Sequence, residues 1–370
     1  MTLFLHIGIG KTGTTSIQTF LEMNAGPLAE RGIVMPTTLG RRNHRRLTMY
    51  ALNDDVIDNS RRARRLLTPA AVEKFRTHTF SEFRAEVAQW PPHDTVVMTS
   101  EQMTRLRRPG EIARLKDLVS LSGQQDIRVI VYLRRQDLYY VSEYSQEVKG
   151  GKDIPFRPNG KVVNRDIYFY DRLIGYWADV FGPEAIIVRP FEPSALRNGD
   201  AIDDFLSVIG VDDLSGMERP PPRNASLDAY TVEFLRRLNP AVPRWVDGGE
   251  SATRRLLVEA LEKISHGPKL RMSRENAQKF LALFAESNAM VARRYLSKEK
   301  LFEEDVEQTV GMEPELPAEA AQPIAAALFS TAILPALDCD ELVAATGRAW
   351  NEVAEKALAP AKPPRDSQAA

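Results

Sequence analysis

The residues from His6 to Leu21 read HIGIGKTGTTSIQTFL. Within them Lys11, Thr12, Gly13, Thr14, Thr15 and Ser16 set one cation, one glycine and four hydroxyls into six positions. An apolar run precedes this stretch and ends in Gly8, and helical spacing follows from about Thr14. A strand, a glycine-bearing loop and a helix start together make an anion-binding arrangement. The first N–H groups of a helix have no intrahelical partner and point outward, and the helix dipole adds positive potential there. Gly13 lets the backbone approach an anion closely. Lys11 supplies a full charge, and Thr12, Thr14, Thr15 and Ser16 supply further donors. A helix that only needs capping would use one such hydroxyl.

The loop that binds nucleoside triphosphates has a different order. Its pattern, G-x-x-x-x-G-K-[ST], places the lysine after the last glycine. Counting from Gly8, the sixth position is Gly13, and Thr14 stands where that lysine would be. Lys11 comes before the glycine instead. The later apolar run VVMTSE closes on Ser100 and Glu101, with no aspartate to hold a magnesium ion. This frame speaks against ATP hydrolysis.

The lysine-first order resembles the sulfotransferases that use 3′-phosphoadenosine 5′-phosphosulfate (PAPS). Lys11, Thr12, Gly13, Thr14 and Thr15 match their 5′-phosphosulfate signature residue by residue. Ser16 stands where an aromatic residue is common in the cytosolic members, which is similar to the bacterial, carbohydrate-type branch. The family also reads the 3′-phosphate with an arginine at a strand end and a serine eight residues later. VYLRRQDLYYVSEYSQ offers Arg134 and Ser142 at that spacing, whereas Arg135 leads to Glu143. An arginine presents a planar fork suited to a phosphate dianion. PRNASLDAY, Pro222 to Tyr230, resembles a segment of bacterial members, in which Arg223, Asn224 and Ser226 close over the nucleotide. Ser226 is equally placed to cap the next helix. The late glycine- and lysine-rich motif of the cytosolic members has no counterpart here.

The resemblance implies in-line sulfuryl transfer from PAPS, releasing adenosine 3′,5′-bisphosphate, to a hydroxyl or amine of a small molecule, carbohydrate or glycolipid. No metal is required by this arrangement, and no histidine and carboxylate cluster has metal-ligand spacing. Lys11 is then the residue at the leaving phosphate, and a base must take the acceptor's proton. Two candidates stand open. His44, in GRRNHRRLTMY, is flanked by Arg41, Arg42, Arg45 and Arg46. Near in space, those cations would keep it neutral at pH 7. Several relatives place a histidine after the first helix. Glu101 ends a predicted strand, where relatives place a histidine or glutamate. His6, inside the first strand, reads as a core residue.

These residues need a scaffold. Apolar runs at Leu3 to Ile7, Asp94 to Glu101, Ile127 to Arg135 and Ala185 to Phe191 alternate with helical patterns. That alternation predicts an α/β fold with a parallel sheet flanked by helices, whose ligands sit at the carboxyl ends of the strands. Helices are predicted after Arg135, over DIYFYDRLIGYWADVFG and over AIDDFLSVIG. Past the prolines of RPPP the strands stop, and helices follow at Ser226–Leu238, Ser251–Ile264 and Ser273–Leu296. The expected organisation is a sulfotransferase domain over 1–312, with an α/β core to about 215 and a helical extension over 223–312. A helical appendage over 313–370 ends in a tail of disordered composition from about 359.

Composition bounds the rest. The 370 residues are 43% hydrophobic and 27% charged, enough for a sizeable core. A net charge of −1 gives no electrostatic case for nucleic acid. Arginines nevertheless cluster at 41–46, 61–65 and 105–108, as solvated loops or as a rim attracting anions. The single cysteine, Cys339, excludes an internal disulfide and fits a reducing, cytoplasmic compartment. With the first motif beginning at residue 6 no signal peptide is expected, and Ile324 to Leu337 is too short to span a membrane. Two other readings stay open: a small-molecule kinase or NTPase with an altered loop, and an inactive nucleotide-binding scaffold whose arginines serve a protein partner.

Overall fold

The structure, a computed structural model, describes residues 1–91, 93–157, 165–221, 226–246, 249–303, 306 and 311–330. Its strands are β1 (Thr2–His6), β2 (Ile33–Val34), β3 (Thr95–Thr99), β4 (Asp126–Leu133) and β5 (Ile186–Pro190). They form one parallel sheet in the order β2-β3-β1-β4-β5. Flanking helices make this the α/β arrangement that the alternating runs predict. β2 was not foreseen, because two residues are too few to show a periodicity.

The helices are α1 (Thr14–Met23), α2 (Ala25–Glu30), α3 (Arg45–Ala51), α4 (Asn59–Ala63), α5 (Pro69–Val87), α6 (Pro109–Val119) and α7 (Gln136–Lys149). They continue with α8 (Tyr170–Phe181), α9 (Ala201–Val208), α10 (Ala229–Leu238), α11 (Ala252–Ile264), α12 (Arg274–Ala282), α13 (Ala285–Val291) and α14 (Ala318–Ser330). The single helix expected over Ser273–Leu296 is broken after Ala282. Phe284 leaves helical geometry there (φ −115°, ψ 4°). Its ring is fully buried against Tyr168, Phe169 and Phe280, and this aromatic packing outweighs helix continuity.

Side chains alternate across the sheet. On one face Phe4, Val97, Ile130 and Tyr132 pack with Ile17, Phe20 and Leu21 of α1 and with Ile202, Phe205 and Leu206 of α9. Leu3, Leu5, Val96, Met98, Val129 and Val131 are fully buried on the other, where α8 lies against β4. Each such side chain contributes about 1.5–3 kcal/mol by leaving water. Packing on both faces therefore fixes the sheet and α1 together. β1 lies between β3 and β4, in register from Thr2 opposite Thr95 and Asp126 to His6 opposite Thr99 and Ile130. The turns that follow these three strands consequently emerge side by side at one sheet edge.

The chain divides into two compact units. The first, Met1–Tyr139 with Asn159–Arg223 and Lys279–Asp305, holds the sheet. The second is Tyr140–Pro158 with Asn224–Gln278 and Val306–Ala370. Within the second, Trp245–Val246 (β6) and Gly249–Glu250 (β7) form a short antiparallel hairpin, so strands do not stop at residue 220. The final predicted helix, Asp340 to Leu358, and Cys339 lie outside the described residues. Among the described residues no helix is long and apolar enough to cross a membrane.

Candidate active site

The turn after β1 and the start of α1 form the centre of the site. Gly8 (φ +39°), Lys11 (φ +70°) and Gly13 (φ +72°) all take positive φ. Such alternation turns successive N–H groups toward one concavity. Gly13 must be glycine for a second reason. A Cβ there would stand 2.8 Å from Cβ of Ala201 and 3.4 Å from the ring of Phe191. Lys11 holds a conformation unusual for a residue with a side chain, and Arg134 Nη1 donates to its carbonyl at 3.0 Å. No side chain caps α1, whose first intrahelical bond runs from Ile17 N–H to Gly13 O at 3.1 Å. The helix start therefore keeps its N–H groups directed outward. A Cβ on Gly10 would meet nothing within 4 Å, so the turn is open on that side.

The hydroxyls divide. Thr12 is buried and donates to Ile9 O at 2.7 Å, so its hydroxyl shapes the turn. Thr14 is buried with its methyl group toward Gly8. Thr15 is exposed and Ser16 half-buried. Arg134 follows β4, and Tyr170 donates from its hydroxyl to the Arg134 carbonyl. Arg135 turns away: it is buried in a two-bond pair with Asp137, at 2.8 and 3.0 Å. Ser142 lies half-buried on α7, in the second unit. Ser226 is exposed in that unit. It does not cap α10, because the cap is Asp228, which accepts from Thr231 N–H at 2.8 Å. Arg223 and Asn224 lie outside the described residues.

Glu101 follows β3 at the same edge, half-buried. Two amides fix its Oε2: Asn43 Nδ2 donates at 2.8 Å and Gln18 Nε2 at 3.1 Å. Gln18 Nε2 also reaches Thr99 Oγ1 at 3.4 Å. Thr99 Oγ1 in turn lies 2.9 Å from His6 Nδ1. The far nitrogen of that ring, His6 Nε2, is buried and has no hydrogen-bond partner, and a Cβ on Gly8 would lie 3.3 Å from it. A line of polar groups thus runs from beneath the anion turn to the carboxylate. His6 is a core residue, as read from the sequence, but one with an unsatisfied nitrogen under the turn.

His44 is also enclosed, 1% exposed. Thr99 N–H donates to its Nδ1 at 2.8 Å, and its Nε2 stands 3.0 Å from Pro36 O. The neutral ring with its proton on Nε2 satisfies both contacts. Burial lowers its pKa to about 4, against the opposing effect of its backbone hydrogen bonds and the Glu86 charge. Enclosure, not the neighbouring arginines, keeps it neutral. Burial likewise lowers His6 to about 3. Both values lie below the unfolded value near 6.5, so protons bind the unfolded chain first as pH falls. Stability from these groups is complete above about pH 6.5 and is lost progressively toward pH 4 and then pH 3. At about 1.4 kcal/mol per pKa unit, His44 alone is expected to account for roughly 3 kcal/mol. Urea unfolding from pH 7.5 to 4.5 checks this, and His44→Gln is expected to flatten the profile while lowering stability at pH 7.5.

The arginine clusters do not form a uniform basic rim. Arg61 is fully buried and donates to the carbonyls of Met49, Leu52, Asn53 and Val56. Arg46 pairs with Glu82 at 2.6 Å, Arg105 with Asp58 at 2.8 Å and Arg108 with Asp55 at 2.9 Å. Arg41, Arg42, Arg45, Arg62, Arg64 and Arg65 are exposed, as are the paired Arg105 and Arg108. Sequence reading passed over Gln18 and Asn43. Gln18 carries one signal, a polar residue at a core position of α1. Gly40 carries the other: at φ +126°, a Cβ there would stand 2.4 Å from Asn43 O, so this glycine lets the loop fold back.

No family model matches the chain. An uncharacterised protein of Archaeoglobus fulgidus is 29% identical over 188 residues, which is 49% of this chain and 50% of the relative. The match thus spans about half the length of that relative. Among solved structures, a sulfotransferase from Alicyclobacillus acidocaldarius is similar with a TM-score of 0.34 and 20% identity, over 59% of this chain and 86% of that one. A structural neighbour is therefore a sulfotransferase, at a likeness that leaves the chemistry of this chain to its own residues.

Proposed function

We propose that this protein is a sulfotransferase that moves a sulfuryl group from PAPS to a hydroxyl or amine, with a carbohydrate or glycolipid as the favoured acceptor. The observation that carries the reading is the contact of Arg134 with the Lys11 turn at the carboxyl edge of the sheet, 3.0 Å from Nη1 to the Lys11 carbonyl. The lysine-first turn and the arginine after β4 lie far apart in sequence and meet at one edge of the sheet, which supports the reading. PAPS supplies the activated sulfuryl group.

The chain's own residues take four roles in this reading. The outward N–H groups from Gly13 to Ser16, with Thr14, Thr15 and Ser16, hold the 5′-phosphosulfate. Thr12 acts through the shape of the turn. Lys11 neutralises charge that develops on the leaving phosphate. Arg134 is the residue for the 3′-phosphate, and Ser142, Arg223, Asn224 and Ser226 are assigned to the nucleotide by the resemblance alone. Glu101 is the base of choice. Its Oε2 is anchored by Asn43 and Gln18, which leaves Oε1 to take the acceptor's proton. His44, with both nitrogens engaged, holds the backbone beside it instead.

Titration calorimetry with adenosine 3′,5′-bisphosphate tests the assignment. Saturable binding is expected, and an absence of heat at any ratio would remove it. Glu101→Gln is expected to keep that binding and to lower transfer across an acceptor panel by about 10²–10⁴-fold. An unchanged rate would take the proton elsewhere.

A further inference from the structure

Two arginine-bearing segments are fastened to the turn that carries Glu101. That turn, Glu101–Arg105, is a short 3-10 helix after β3. The loop from Gly40 into α3 meets it at Glu101, where Asn43 Nδ2 donates to Oε2 at 2.8 Å. His44 N–H donates to Thr99 O at 2.9 Å and clamps the same loop to the end of β3. α4 meets the turn further along. Ser60 Oγ donates to Gln102 Oε1 at 3.3 Å, and Arg105 pairs with Asp58, the cap of α4, at 2.8 Å. The buried Arg61 ties α4 to the carbonyls of Met49, Leu52, Asn53 and Val56. Both segments are therefore held in place before any ligand arrives, which lowers the ordering cost of binding.

Each segment presents three exposed arginines, Arg41, Arg42 and Arg45 on the loop and Arg62, Arg64 and Arg65 on α4 and its exit. Among the described residues none of the six has an ion-pair partner. The nearby carboxylates are engaged elsewhere. Asp54 pairs with Arg76 at 2.8 Å, Asp55 with Arg108 at 2.9 Å and Glu82 with Arg46 at 2.6 Å. Glu86 accepts from the N–H groups of Thr37 and Thr38 at 2.6 and 3.0 Å. Arg65 holds φ +57°, the left-handed region in which glycine is relaxed, so a long cationic side chain stands there against its backbone preference. The surroundings of Glu101 thus carry an excess of exposed positive charge, although the whole chain is nearly neutral.

Resting on the reading of Glu101 as the base, we propose that these two segments bind a polyanionic saccharide as the acceptor. A single anionic group is satisfied by one or two guanidinium forks. Six cations on two segments match several anionic groups along one ligand. The arginines are exposed, which suits an extended chain lying across the surface. A saccharide bearing carboxylate or sulfate groups joins that repeated charge to the hydroxyls that sulfuryl transfer requires.

Fluorescence anisotropy with labelled polygalacturonate oligosaccharides, on the full chain and without PAPS, tests the surface apart from the transfer chemistry. Saturable binding is expected, weakening steeply between about 50 and 200 mM salt as exposed charges are screened. Neutral dextran oligosaccharides of the same length are expected not to compete. Arg41→Glu with Arg42→Glu, and Arg62→Glu with Arg64→Glu, are each expected to weaken binding by about tenfold or more, because attraction becomes repulsion. Arg293→Glu with Arg294→Glu makes the same charge change in the exposed segment packed against β5, three strands from β3. That pair is expected to change affinity by less than about threefold. No saturable binding, or equal weakening by all three pairs, would overturn the proposal. Duplex DNA bound more tightly than the saccharide, with the same dependence on the two arginine pairs, would give the surface to nucleic acid and overturn it too. A failure of adenosine 3′,5′-bisphosphate to bind, with saccharide binding as expected, counts against the transfer reading and leaves the saccharide surface supported.

Discussion

Replacing Lys11 by alanine is expected to slow sulfuryl transfer by about 10²–10³-fold while changing affinity for adenosine 3′,5′-bisphosphate by only a few-fold. The magnitude is that of removing one donor aimed at charge that exists chiefly in the transition state. The asymmetry follows from the turn. Its outward N–H groups and uncapped helix start remain when the ammonium is removed, so the ground-state anion keeps much of its cradle. The carbonyl of residue 11 also remains to accept from Arg134, and alanine retains a Cβ, so the positive φ is no more strained than before. Stopped-flow or steady-state transfer assays beside calorimetry separate the two quantities. Equal losses in rate and affinity would show that Lys11 binds donor and transition state alike.

Arg134→Ala is expected to do the opposite and act mainly on binding. A charge-assisted arginine–phosphate contact contributes about 1.5–3 kcal/mol, which corresponds to roughly 10–150-fold in affinity for the bisphosphate. Adenosine 5′-monophosphate, which lacks the 3′-phosphate, is the discriminating control: its affinity should move little. The same substitution removes the bond to Lys11 O, so a modest fall in rate beyond the binding effect is expected. Arg134→Lys restores charge without the fork and should recover only part of the loss. If both nucleotides lose affinity alike, Arg134 serves the shape of the turn rather than the 3′-phosphate.

Much of the framework was readable before the fold. Four strands announced themselves as apolar runs, because a parallel strand covered on both faces shows no polar interruptions. The start of α1 at Thr14 followed from the glycine and hydroxyl pattern. Other parts were hidden for identifiable reasons. α5 buries only Val72, Thr79 and Phe83 among 19 residues, so its periodicity is faint. Its entry was written in Thr68 and Pro69, a cap and a first-turn proline. Arg61 looks in sequence like any member of a basic cluster. Only the folded loop supplies the carbonyls that draw it inside. The enclosure of His44 has the same origin: both of its partners, Thr99 and Pro36, are main-chain groups that no side-chain pattern reveals.

The hold of Asn43 and Gln18 on Glu101 arises from three separate segments, the helix after β1, the loop closed by Gly40 and the end of β3. Local pattern predicts each segment and says nothing of their meeting. The same holds for Lys11 and Arg134, whose types were suggestive and whose contact depends on β1 lying beside β4.

The central position of β1 also sets a timetable for biosynthesis. Its two partners begin at residues 95 and 126, so this strand has no neighbour until about a quarter of the 370 residues have been made, and lacks its second until about a third. At about 5–20 residues per second, a ribosome needs roughly 5–20 s to reach the first of them. Throughout this interval the nascent segment carries Leu3, Phe4, Leu5 and Ile7 unpaired, an aggregation-prone apolar stretch of the kind that chaperones shield.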